Sequence, residues 1–194
     1  MPMRSIACFA LAAELVAAAT LGACGDNLRQ AEVPLPHADV LFLVAHPDDD
    51  MIFMQPELLA ALQAGSVTTI YATTAGPDGA NRELFESTLV AYGATVGSSA
   101  WDCGELHLGG GVVDHCRLRD RPVSLVNFDL ADGGIPGDRR DSMLHLVDGT
   151  IATLPSYGPT TSSMTIADVV DLFAAAIATT QPGALHTLDL AATH

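Results

Sequence analysis

The 194 residues, 49% of them hydrophobic, suffice for one domain with a packed core. Eight basic side chains stand against 23 acidic ones, a formal charge of −15, and apart from a short run between Arg117 and Arg121 the basic residues are scattered. That balance excludes nucleic acid and anionic lipid surfaces as electrostatic partners and marks the acidity as a solvated, solubilising surface.

The first two dozen residues read as an export signal. Arg4 supplies a positive start, Ile6 to Leu21 is an alanine-rich apolar stretch interrupted by Glu14, and small residues precede Cys24. Leu21-Gly22-Ala23-Cys24 resembles the bacterial lipobox, which implies cleavage before Cys24, lipidation of Cys24, and a cell-envelope protein that meets the membrane only through that anchor. An ordinary cleaved signal peptide and a buried N-terminal helix are the alternatives. On the lipobox reading residues 1–23 are the signal, 24–37 a polar, proline-bearing tether and 38–194 the domain. Cys103 and Cys116 then remain as an even pair in an oxidising compartment. A disulfide, two free thiols and, with His107 and His115, a zinc cluster stay open, although the adjacency of His115 and Cys116 is awkward for tetrahedral coordination.

Asp39 to Val44 is apolar after its first residue, the pattern of a strand buried on both faces. A short helix is expected over Leu58 to Gln63, entered near Pro56 and closed by Gly65. The β-branched and aromatic run Val67 to Ala72 predicts a second strand. After the turn residues Gly76-Pro77-Asp78-Gly79, Leu84, Phe85, Thr88, Leu89 and Tyr92 recur at helical spacing. Trp101 to Asp132 holds one or two strands, with Val123 to Phe128 the better candidate. Gly133 to Ser163 has loop composition, of a length that often shapes a binding site. Thr165 and Asp168 form a capping box ahead of a helix with an apolar stripe of Ile166, Val169, Val170, Phe173 and Ile177, which ends at Gln181-Pro182-Gly183. Leu185 to Leu190 is the last expected strand, with His186 read as a sheet-face residue. Strands alternating with helices imply an α/β domain with a mainly parallel sheet.

Chemistry concentrates in His46-Pro47-Asp48-Asp49-Asp50, just past the first strand, where ligands of open α/β sheets bind. Pro47 favours a tight turn that brings His46 and Asp49 together. An imidazole and a carboxylate are suitable zinc ligands, and Asp48 between them is then free to act as a base on water. The competing reading is structural: three aspartates that cap the following helical turn and answer its dipole. Gly109-Gly110-Gly111 suggests a nucleotide-binding phosphate loop only poorly, because no clear strand precedes it and no clear helix follows.

Ala45-His46-Pro47-Asp48-Asp49-Asp50 after an apolar strand resembles the Ala-His-Pro-Asp-Asp-Glu signature of the N-acetylglucosaminyl-phosphatidylinositol de-N-acetylase (PIG-L, or LmbE-like) family, with Asp50 in place of the usual glutamate. The stretch Gly65 to Gly76 is similar to that family's second strand and Thr-x-Gly loop, and Arg82-Glu83 to the start of its following helix. The resemblance implies a Rossmann-like three-layer fold and a zinc-dependent hydrolase that removes acetyl groups from N-acetylglucosamine conjugates. It implies His46 and Asp49 as Zn2+ ligands, Asp48 as general base and Arg82 as a substrate contact. The family's late His-x-Asp-His motif, source of a third ligand and an acid, does not occur in these residues. The expectation is therefore a chain incomplete at its carboxyl end, with His194 the nearest stand-in. The alternative function is a non-catalytic glycan-binding surface lipoprotein of the same fold.

Overall fold

A computed structural model describes residues 32–73, 82–133, 139–158 and 163–188. Cys24, the signal, the turn at residues 76–79 and His194 lie outside them. The first strand, β1 (Val40–Val44), leads through α1 (Asp49–Phe53) and α2 (Glu57–Ala64) to β2 (Val67–Thr73). Then come α3 (Arg82–Val96), β3 (Trp101–Leu108), β4 (Gly111–Leu118), β5 (Val123–Leu130) and α4 (Met143–Val147). Two-residue strands β6 (Leu154–Pro155) and β7 (Ser163–Met164) pair with each other, and α5 (Ile166–Thr180) and β8 (Ala184–Thr187) follow.

The six-stranded sheet has the order β3-β4-β5-β2-β1-β8. Its β5-β2-β1-β8 portion is parallel, while β4 runs antiparallel to both β5 and β3. β1 sits between β2 and β8, so its side chains alternate between two covered faces. Phe42 and Val44 join Leu58, Tyr71, Phe85 and Tyr92 in one buried cluster; Leu41 joins Ile70, Phe128, Val169 and Leu172 in the other. Among the described residues no helix is long and apolar enough to cross a membrane.

Three expectations need correction. Trp101 to Asp132 holds three strands, because Gly109, at φ 55°, and Gly110 turn β3 directly into β4; the glycine run is a hairpin turn and not a phosphate loop. The stretch expected to be loop contains α4, capped by the Ser142 hydroxyl accepting from the His145 N–H at 3.2 Å, as well as β6 and the start of β7. Residues 49–53, which only the structural reading of the aspartates took as a helical turn, form a helix of their own. Elsewhere the boundaries moved little. The Thr165 and Asp168 capping box is in place, and α5 ends in a left-handed Gln181. His186 lies on the sheet face, stacked on Phe42 with ring centroids 5.0 Å apart.

Cys103 and Cys116 are opposite each other across β3 and β4 and are disulfide-bonded. The bond closes a 13-residue separation, a loop for which chain-entropy arguments give about 3 kcal/mol. It also removes both sulfurs from any metal cluster with His107 and His115. His115 is fully buried instead, its Nδ1 bonded at 2.7 Å to the carbonyl of Val33, whose own N–H reaches the Glu105 carbonyl at 3.1 Å. Val33 and Leu35, in the range expected as tether, are thus packed against the sheet.

Burial above all, with Arg117 adding to it and the Val33 hydrogen bond opposing, holds the His115 imidazole down at about 4 against an ordinary 6.5. The unfolded chain takes up a proton between those values that the folded chain refuses. The stabilisation is therefore complete above pH 6.5 and lost as pH falls towards 4, by about 3 kcal/mol. Urea midpoints measured across that range should fall for the parent and fall less for His115→Asn, which keeps the donor to Val33 without the titration.

Candidate metal and hydrolytic site

The site begins where β1 ends, with a turn. The N–H groups of Asp48 and Asp49 both donate to the His46 carbonyl, at 2.8 and 3.2 Å, and the Asp48 carbonyl then accepts from Met51 and Ile52 to start α1. Neighbouring elements fix this turn from outside. Thr73 on β2 donates to the Ala45 carbonyl through its N–H at 2.9 Å and its hydroxyl at 3.0 Å. The Thr88 hydroxyl on α3 donates to the Pro47 carbonyl.

The three consecutive aspartates have three different environments. Asp48 occupies the N-cap position of α1, yet its side chain makes no capping hydrogen bond. Burial, seconded by the neighbouring Asp49 carboxylate and opposed by His46, raises its pKa. Asp49 turns back: its Oδ2 accepts the His46 N–H at 2.8 Å and lies 3.4 Å from His46 Nδ1. Burial would raise the Asp49 pKa, but the His46 ring and the backbone donors outweigh it and the net shift is downward. Asp50 points into the core. Its Oδ1 accepts from the Met51 N–H at 2.9 Å, and its Oδ2 accepts from the Tyr71 hydroxyl at 3.1 Å and from the Tyr92 hydroxyl, itself 2.8 Å from Thr69 Oγ1.

Sequence reasoning missed Asp132, just beyond β5, whose Oδ2 lies 3.5 Å from His46 Nε2. The imidazole therefore has a carboxylate at each ring nitrogen, and hydrogen bonding to Asp49 leads the factors that raise its pKa. The arrangement fits a metal-ligand histidine on one side. Two donors about 2.0–2.1 Å from a tetrahedral zinc are separated by about 3.3–3.4 Å, which matches Nδ1 and Asp49 Oδ2. Asp132, at the opposite nitrogen, occupies the place of the outer carboxylate that fixes tautomer and ring orientation. Among the described residues no three His, Cys, Asp or Glu side chains form a set that could hold a metal ion.

Arg82, expected as a substrate contact, opens α3 and is ion-paired. Its Nη1 donates to Asp114 Oδ2 at 2.8 Å and its Nε lies 3.5 Å from Glu86. An apolar pocket of about 370 Å³ lies at the carboxyl ends of β1 and β8, lined by Leu43, Val44, Ala45, Ala72, Phe173 and Leu188 among others. It adjoins the turn that carries His46. Compared with family models, curated proteins and solved structures, the chain has no match.

Proposed function

We propose that the chain is a zinc-dependent amide hydrolase that removes acetyl groups from N-acetylglucosamine-type conjugates, built on a Rossmann-like three-layer domain and exported as a lipoprotein. The observation that carries the reading is the division of labour among the aspartates: Asp48, at the N-cap, makes no capping hydrogen bond and stands beside a His46 and Asp49 pair spaced for one ion. The structural alternative, three aspartates capping α1, asks for a capping hydrogen bond that Asp48 does not make. Helices on both faces of a mainly parallel sheet support the fold assignment, the hexapeptide resemblance supports the substrate class, and the lipobox-like Leu21-Gly22-Ala23-Cys24 supports the export.

His46 and Asp49 would hold the zinc, which when bound supplies Lewis-acid polarisation of the amide carbonyl and of water. Asp48 takes the proton from the attacking water, and its raised pKa makes it a stronger base than an exposed carboxylate. Asp132 keeps the His46 ring oriented through Nε2. Arg82, at the start of α3, would contact the sugar.

Zinc titration tests the ligand assignment. His46→Ala should lower zinc affinity more than about a hundredfold, and Asp132→Asn about ten- to a hundredfold, with folding unchanged by circular dichroism. Equal zinc uptake by parent and His46→Ala would overturn it.

A second reading is a non-catalytic glycan-binding surface protein of the same fold. It predicts glycan binding without acetate release, and without tight zinc uptake by the parent.

A further inference from the structure

We propose that Asp114 on β4 and Asp129 on β5 share a single proton as an acid and carboxylate pair, and that this proton sets the grip on Arg82 at the start of α3. The inference concerns charge between β4, β5 and α3 and is independent of the hydrolase reading.

The local backbone places the two carboxyls together. Tyr71 pairs with Asn127, whereas Thr73 pairs with Leu130, so β5 bulges by one residue and Asp129 adopts a left-handed φ of 52°. Asn127 steadies this conformation, its side-chain amide donating to Asp129 Oδ1 at 2.8 Å and its amide oxygen accepting the Asp129 N–H at 3.2 Å. The other oxygen, Oδ2, is sealed from water and has no donor among the described residues. Gly158 closes over it, since a Cβ there would lie 3.2 Å away. Asp114, also buried, stands opposite Asn127 in the β4–β5 register and acts on the Asp129 carboxyl from beside it.

Two carboxylates cannot sit side by side in a dry site without one taking a proton, and the proton gives the orphan oxygen its hydrogen bond. Burial first, then the Asp114 charge and hydrogen bond, push Asp129 up to about 8, while Arg82 pulls it back. Among the described residues, Arg82 acts on the pair from α3 and has Glu86 beside it, while Asn127 and Gly158 pack on the Asp129 carboxyl without charge and Tyr157 donates its N–H to the Asp129 carbonyl at 2.9 Å.

With the proton in place the pair carries one negative charge, which a single guanidinium balances. Release of the proton to solvent leaves two buried negative charges beside one cation. Arg82 has the freedom to respond, because its side chain is 58% exposed while Asp114 is 6% exposed. Rising pH should therefore draw the guanidinium inward.

Carbon-detected NMR of the full chain from about pH 5 to about pH 9 tests this, because an ordinary aspartate titrates near 4. The carboxyl carbon of Asp129 should move on the alkaline side of about pH 6, and the Arg82 Cζ should follow with the same midpoint. In Asp129→Asn both transitions should vanish while Arg82 stays paired with Asp114. An Asp129 carboxyl that titrates below about pH 5, or an Arg82 carbon that does not follow it, would overturn the proposal. If Asp129→Asn fails to fold, the parent titration decides alone.

Discussion

Replacing Asp48 with alanine is expected to slow acetate release by about 10²- to 10⁴-fold while zinc binds as it does to the parent. The size follows from what one positioned base contributes to proton transfer, and the selectivity follows from the turn. The main-chain groups of Asp48 hold the turn together through the His46 carbonyl and the first N–H groups of α1, and alanine retains all of them. Its carboxylate makes no capping bond, so removing it should cost little stability. Acetate assay on a chromogenic N-acetylglucosaminide, with zinc measured on the same samples, separates the effects. Activity unchanged in Asp48→Ala would remove it from the mechanism, and loss of zinc together with activity would make it a ligand instead.

The neighbouring position should behave in the opposite way. Asp50→Ala is expected to cost about 1–3 kcal/mol of folding stability, because a buried hydroxyl left without its acceptor costs about that much. Asp50 is fully buried and accepts from both tyrosines; without it Tyr71 loses its partner, while Tyr92 keeps Thr69. Burial raises the pKa of Asp50 despite those donors, so part of the loss is offset by relief of a desolvated carboxyl. Adding Tyr71→Phe to Asp50→Ala should recover stability by removing the orphaned hydroxyl. Denaturant unfolding of the four proteins in this cycle measures the coupling. A double variant no more stable than Asp50→Ala would mean that the tyrosine bond contributes nothing.

The legible part of this protein was local. β1 and β2 announce themselves through unbroken apolar or β-branched runs, and α5 through its capping box and stripe, because each pattern is complete within one element. The turn at His46 was readable for the same reason. The hairpin of β3 and β4 was not. Inward residues such as Leu106 and Leu108 alternate with Glu105 and His107, but Asp102, Gly104 and the triple glycine disguise that period as loop. β5, expected over Val123 to Phe128, is present and runs on to Leu130, with Ser124, Asn127 and Asp129 inside a fully buried strand. Asp132, Asp114 and Asp129 acquire meaning only from neighbours far away in sequence, so no spacing rule could have singled them out.

The docked segment at Val33 also determines how the domain would carry mechanical load. Within the described residues, tension entering at Glu32 would pass to Glu105 on β3 and His115 on β4 through the two hydrogen bonds of Val33. Those strands are riveted by the Cys103–Cys116 bond one residue from His115, so the pull is taken up by a covalent rung. β1, with His46 at its tip, stands on the far side of β5 and β2 from that rung. Load entering there would thus strain the remote hairpin before it disturbed the turn at His46.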